Sequence, residues 1–386
     1  MTPLDQLHGA FNKWLAIEED PDVLDVILAV VIDRKVLGDP IWLFLVAPSG
    51  STKTELLRSL YNQEGCYLLS TLTSHTIVSG KEKSNGTIVK GIHSKINGKV
   101  IIIPEFTQIL TKPREERDAL MGQLRDLYDG FCRFGFGTTD EPIEVPCRIG
   151  LICGVTPAID LYQTTQIILG ERFLKIRARF DRDAARKQAL LNQQSLEEMR
   201  QQLKTAVANF LANLRITEPE CDQQTLDRIG IYGEIVAHLR TVVTSTTFKE
   251  CDTSEWMPEP EFATRISQQL LKLARCLAIV RGHPRITEAD LATVQRVAFD
   301  TVPLARLRIA TQLAQTNEFT PQKEIAEKTG LSYPITANSL RQLALLNIVE
   351  QSDTPAQYNE KLYRLRDPLK TIFIRLASLK LFLGKQ

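Results

Sequence analysis

Apolar residues along the chain follow first one period and then another, and each change marks an element. In residues 3–35 they recur at helical spacing, with a break at Asp20-Pro21 and a stripe of Leu24, Ile27, Leu28 and Val31 on the second segment, which predicts two amphipathic helices. Ile41-Trp-Leu-Phe-Leu-Val46 is instead a short continuous apolar run, the pattern of a parallel strand buried on both faces. It leads into Ala47-Pro-Ser-Gly-Ser-Thr-Lys-Thr54 and a helical Glu55-Leu-Leu-Arg-Ser-Leu60. Val100-Ile-Ile-Ile103 and Arg148-Ile-Gly-Leu-Ile-Cys153 repeat the buried-strand pattern with helix-like segments between them, so an α/β sheet with crossover helices is expected. Residues 182–313 read as almost wholly helical, interrupted by a Pro- and acid-rich surface loop at 251–261. The last segment predicts a helix at 303–313, a short helix at 321–330 closed by Gly330, a helix at 333–345, and two strands at 348–351 and 361–364 around a polar turn. That is the order of a winged helix-turn-helix, whose second helix of the turn commonly enters a DNA major groove.

Length and composition narrow the class without naming a function. A chain of 386 residues predicts two or three compact units, and 43% hydrophobic with 24% charged residues excludes disordered and collagen-like chains. The seven cysteines are odd in number, scattered and never closer than six positions, so they form neither a zinc ribbon nor a disulfide framework and read as reduced, mostly buried thiols. Asp25, Asp33, Arg34, Lys35 and Asp39 interrupt the most apolar early stretch below the length of a membrane span. With no basic and then apolar leader at the N-terminus, the expected location is the cytoplasm. Net charge is +1, yet residues 303–386 alone carry 12 Lys and Arg against 7 Asp and Glu, a modest basic tilt on the segment that reads as a winged helix.

The chemistry-bearing residues start at the end of the first strand. Strand, loop, Lys-Thr and helix is the order of a phosphate-binding loop, in which Lys53 reaches the β and γ phosphates and the Thr54 hydroxyl ligates Mg²⁺. Ser49, Gly50, Ser51 and Thr52 supply the loop amides. The pattern departs from the usual motif at both glycine positions, which are Ala47 and Thr52. A second buried strand ends in Ile103-Pro-Glu-Phe106, where an additional-strand P-loop ATPase ends Asp-Glu. Glu105 is therefore the candidate general base, and the metal-holding aspartate is replaced by Pro104.

These segments, with Gly154-Val-Thr-Pro157 and Gly170-Glu-Arg-Phe173, resemble in sequence and order the Walker A, Walker B, sensor 1 and arginine-finger segments of minichromosome-maintenance (MCM) helicases and of the MCM-like AAA+ helicases of mobile elements and phages. The resemblance covers residues 40–180 with motifs, continues weakly through the helical region and omits the N-terminal DNA-collar domain of MCM proteins. It implies a helical lead-in at 1–39, an α/β AAA+ core at 40–185, an all-helical lid at 186–302 and a winged helix-turn-helix at 303–386. It further implies ATP and Mg²⁺ as cofactors, Thr156 as sensor 1, Arg172 as a finger acting on the neighbouring subunit's nucleotide, Arg265 as sensor 2 and a homo-hexameric ring.

Two insertions stand where such helicases grip single-stranded DNA. One holds Lys81, Lys83 and Lys90 among glycines; the other, before the sensor 1 strand, holds Arg133, Phe134 and Phe136. Lys328, Tyr333, Asn338 and Arg341 lie on or near the winged helix's recognition helix, with Arg364 and Arg366 on its ribbon, where duplex DNA or another replication protein would dock. The expected function is an ATP-dependent helicase or translocase in replication of a mobile element or phage. The competing expectation is an ATP-binding scaffold, loader or regulator assembling on DNA with little hydrolysis, and a third is an operator-binding transcription regulator. The five histidines have no ligand or triad spacing.

Overall fold

The computed structural model describes residues 2–77, 79–83, 86–134, 143–162, 171–243, 258–352 and 361–378. Two compact units divide the chain: Met1–Glu220 with Lys272–Val294, and Cys221–Leu271 with Gln295–Gln386. The first opens with helices α1 (Pro3–Leu15) and α2 (Asp22–Ile32) and continues through strand β1 (Trp42–Val46), helix α3 (Lys53–Arg58), β2 (Cys66–Leu68) and α4 (Ser74–Ile77). A hairpin of β3 (Ser79–Lys83) and β4 (Gly86–Lys90) follows, then α5 (His93–Ile96), β5 (Val100–Ile103), α6 (Thr107–Leu110) and α7 (Arg114–Asp129). A second hairpin, β6 (Phe131–Phe134) with β7 (Ile143–Pro146), precedes β8 (Gly150–Val155), β9 (Phe173–Arg177), α8 (Arg182–Leu191) and α9 (Leu196–Asn213).

The unit is built on a five-stranded sheet in the order β2-β5-β8-β1-β9, with every pairing parallel. The apolar runs at 41–46, 100–103 and 148–153 are thus central strands, and β1 is buried along its whole length. On one face Trp42, Phe44, Ile101, Ile103, Leu151, Cys153 and Phe173 join Phe106 and the α7 residues Leu120, Leu124 and Tyr128 in one core. Phe44 stacks on Phe173 with centroids 3.8 Å apart, and the Trp42 indole donates to the Ile149 carbonyl at 2.8 Å. On the other face α2 packs against β8 and β9, and α3 brings Leu57 against Gly154.

The second predicted helix is not amphipathic. Every residue of α2 from Val23 to Ile32 is buried, Asp25 included. A remote counter-charge makes this tolerable: Arg281 donates to Asp25 and Asp22 at 2.8 Å each and to the buried Asp290 at 3.2 Å, while His8 Nε2 lies 2.7 Å from Asp25. Burying a carboxyl group is costly unless its oxygens are answered by hydrogen-bond and charge partners in this way.

Helix α10 (Gln223–Arg240) starts the second unit. Next come α11 (Thr264–Arg281) and α12 (Glu288–Thr301), each divided between the units, and α13 (Leu304–Leu313). Strand β10 (Thr320–Pro321), α14 (Gln322–Thr329), α15 (Tyr333–Leu345), β11 (Val349–Gln351), β12 (Leu362–Leu365) and α16 (Leu369–Ser378) complete it. Gly330 takes φ +65° at the end of α14, as its glycine cap predicts. The short strands form an antiparallel sheet in the order β10-β12-β11. Arg306, 1% exposed, donates to the Leu239 and Thr241 carbonyls beyond α10 and to Gln342 on α15, and so binds α10, α13 and α15 together. The loop predicted at 251–261 lies largely outside the described residues. Among the described residues no helix is long and apolar enough to cross a membrane.

Candidate nucleotide-binding site

A parallel sheet gathers the carboxyl ends of its strands at one edge, where open α/β folds bind ligands. Register aligns Val46 with both Val155 and Arg177, and Ile103 with Cys153, so the segments after β1, β5 and β8 emerge together. They carry the loop at 47–52, Glu105 and Thr156. The Ala47 amide donates to the Val155 carbonyl at 3.1 Å and the Phe106 amide to the Gly154 carbonyl at 2.8 Å, which pins the loop and the Glu105 segment to opposite sides of β8.

The loop explains its own missing glycines. Ala47 is buried and still paired to β8, and Thr52 has φ −61°, a right-handed value open to any residue. The left-handed position is Gly50, at φ +76°. Ser49 and Gly50 are exposed, and among the described residues the Ser49, Gly50, Thr52 and Thr54 amides have no intrachain acceptor, as a phosphate-binding loop requires. Glu55 fixes α3 from behind by accepting from Arg200 of α9 through both carboxylate oxygens, at 2.9 and 3.1 Å.

Lys53 is 3% exposed at the start of α3, with its Nζ 3.5 Å from Glu105 Oε2. Burial pushes its pKa below the ordinary lysine value, and the neighbouring Glu105 carboxylate opposes that shift. Lys53 Nζ, Glu105 Oε1 and Thr52 Oγ1 are buried polar atoms without a hydrogen-bond partner, all at this one edge. Buried groups of this kind call for a polar ligand, and a polyphosphate supplies the acceptors that the ammonium and hydroxyl lack. Thr156 is half-buried directly after β8, and its side chain makes no capping bond to the short 3-10 turn that follows. Thr54 is exposed.

Other sequence-predicted residues stand elsewhere. Arg172 precedes β9 and so lies at the opposite edge of the sheet from the loop. It is 6% exposed, donates to both oxygens of Asp129 at 2.9 and 3.0 Å and sits over the Tyr128 ring at 5.2 Å. Asp126, on the same helix α7, is raised in pKa chiefly by burial and feels Asp129 and Arg172, which places it in this cluster and away from Glu105. Arg265 is half-buried on the part of α11 that belongs to the second unit.

In the first hairpin Ser79 pairs with Lys90 and Lys81 with Ile88, a register that puts positions 81, 83 and 90 on one face of the ribbon. Arg133 and Phe134 lie in β6, opposite Glu144 and Ile143, and Phe136 falls outside the described residues. In the second unit Lys328, Tyr333, Asn338 and Arg341 are exposed. Arg364 donates to Glu350 at 2.7 Å and covers Phe319, and Arg366 also faces Glu350, so the ribbon cations are already held by an acid.

The motif reading of residues 170–173 stops short of Lys175 and Arg177. The structure buries Lys175, which shares Asp160 with Arg177: Lys175 reaches it at 3.3 Å and Arg177 at 2.9 Å. Those two cations hold Asp160 below the usual carboxylate range against the cost of its burial. Arg177 closes β9 beside Val46, at the edge that carries the loop; the alternation Phe173, Lys175, Arg177 around apolar Leu174 and Ile176 was the signal available for it. No family model matches this chain, and no curated protein matches it.

Proposed function

We propose that this chain is an MCM-like AAA+ ATPase that binds ATP at the Lys53 loop, assembles as a homo-hexameric ring and acts on DNA as a helicase or translocase. The observation that carries the reading is the buried Lys53 ammonium set 3.5 Å from Glu105, with unpaired loop amides around it, at the carboxyl edge of a parallel sheet. The strand order supports it: β8 is inserted between the loop strand β1 and the acid strand β5, the extra strand of the additional-strand P-loop ATPases. In this reading Lys53 and the loop amides hold the phosphates, Glu105 polarises the attacking water and Thr156 bonds the γ-phosphate or that water.

Arg172 serves a neighbour's nucleotide, because it stands at the far end of β9 from its own loop. The four rises of about 3.3 Å between the five residues of β9 put roughly 13 Å of strand between the two edges. The helices after β9, with Arg265 as the sensor 2 candidate, act as a lid, and α13 to β12 act as a winged helix-turn-helix. The two hairpins, with positions 81, 83, 90, 133 and 134, line a single-strand path through the ring.

Steady-state ATP hydrolysis by the wild type and by Lys53→Ala, Glu105→Gln and Arg172→Ala, with and without single-stranded DNA, tests the proposal. DNA-stimulated turnover abolished by each substitution is the expected result; nucleotide binding that needs Lys53 with no turnover rejects the motor. That second outcome belongs to an ATP-gated scaffold on DNA, which Pro104 favours because it removes the metal-holding acid.

A further inference from the structure

We infer that this site manages phosphate charge through Lys53 and the loop amides without a protein-anchored Mg²⁺, so that nucleotide binds about equally well with and without the metal. The inference rests on the nucleotide-binding reading above. Mg²⁺ in a P-loop site is oriented by the hydroxyl after the lysine and by an acid at the end of the neighbouring strand, and it demands a near-octahedral oxygen shell. Thr54 offers the hydroxyl. The acid does not exist here.

Ile101 and Ile103 face the aromatic core, so alternation puts position 104 on the opposite face, with α3, where an acid would stand to serve Thr54. Pro104 has no side-chain donor, and its backbone carbonyl is turned against Gly154, so closely that a Cβ on Gly154 would overlap the oxygen. Glu105 pairs with Lys53 in the free chain and, in the reading above, turns to the attacking water once phosphate displaces it, so it is not a standing metal ligand. Asp126 and Asp129 belong to the Arg172 cluster at the other edge of the sheet. Among the described residues no group of three or more His, Cys, Asp or Glu converges on a point. The donor set therefore does not fit a held Mg²⁺. What the site does have is a cation nine-tenths buried, whose attraction for phosphate is strengthened by the low local dielectric. Nucleotide without Mg²⁺ carries more negative charge, and the added attraction to Lys53 offsets the contacts the metal would have made.

Fluorescent ATP and ADP analogues titrated into the full chain, in Mg²⁺ and in EDTA, test this. Wild type should bind in both buffers with Kd values within about threefold, under 1 kcal/mol. Pro104→Ala should behave the same way, since it removes the ring and adds no acid. Pro104→Asp should bind at least tenfold more tightly in Mg²⁺ than in EDTA and should hydrolyse ATP faster than wild type. A wild-type affinity that falls tenfold or more in EDTA overturns the inference while leaving nucleotide binding intact. Absence of binding in both buffers removes the nucleotide-binding reading and this inference with it. The wild-type titration decides the matter even where Pro104→Asp does not fold.

Discussion

Asp33 gives the fold a pH dependence that can be worked through from its surroundings. It is 1% exposed under the start of β1, accepts from the Ile41 amide at 2.5 Å and lies 3.8 Å from the Lys272 ammonium. Burial outweighs these partners and raises its pKa from 3.8 to about 6. Between those values the folded chain holds a proton that the unfolded chain has lost, so stability falls as pH rises through the window, and the full cost is felt above the folded pKa. A rise from 3.8 to about 6 corresponds to about 3 kcal/mol, of which about 1 kcal/mol is lost between pH 5 and pH 7. Asp33→Asn keeps an acceptor for Ile41 and does not titrate. Urea unfolding at pH 5, 6 and 7, followed by the fluorescence of Trp14 and Trp42 in the first unit, should show wild type losing about 1 kcal/mol relative to Asp33→Asn across that range. A difference that stays flat, or that grows in favour of wild type as pH rises, would refute the assignment of a protonated buried carboxyl.

Three other substitutions probe the site and its support. Lys53→Met should weaken nucleotide binding at least tenfold while leaving the chain as stable as wild type, because it removes a buried cation whose partner Glu105 is 40% exposed and can rehydrate; paired binding and denaturation curves check both halves. Gly154→Ala pushes a Cβ into the Pro104 carbonyl and should cost about 1–3 kcal/mol in urea while lowering turnover more than nucleotide affinity, since the displaced segment carries Glu105 and not Lys53. Asp129→Ala leaves the Arg172 guanidinium buried with its bidentate acceptor gone; with Asp129 45% exposed, a loss of about 1–2 kcal/mol is expected from thermal or urea melts, and Asp129→Glu should recover part of it.

The strands of the first unit visible in the sequence were those that follow one simple rule. Ile41 to Val46 and Val100 to Ile103 are buried on both faces by other parts of the fold, so their apolar character is continuous. Strand β2, with no buried residue, has no such signature, and β9 is masked by Lys175 and Arg177, whose charges are answered by Asp160 from a preceding turn. Asp25 misled in the same way: it made α2 look two-faced, and only Arg281, far along the chain, makes its burial possible. Lys53, Thr54 and Glu105 were legible from strand, loop and helix order alone. The need for glycine at Gly154 was not, because it arises from register between β5 and β8 and has no local pattern.

The cations assigned to the chemistry share one electrostatic arrangement. Lys53 and Arg172 are both almost wholly buried, and each is answered by a carboxylate more exposed than itself: Glu105 at 40% and Asp129 at 45%. A cation kept in the interior must be paired, and the partner that can best be given up is the one water can reclaim. Phosphate oxygens arriving at Lys53 compete with Glu105 for the same ammonium, so polyphosphate binding frees the carboxylate that is to act as base. In the proposed ring, Arg172 would make the corresponding exchange, from Asp129 to a neighbouring subunit's γ-phosphate. Under the proposed function, charge would set the order of events: phosphate would displace Glu105 before Glu105 polarises water, and assembly would draw Arg172 from Asp129 before the transition state is stabilised. The proposed function therefore predicts weak ATP hydrolysis by isolated chains, because the same ion pairs that make burial of the two cations possible also hold them from phosphate.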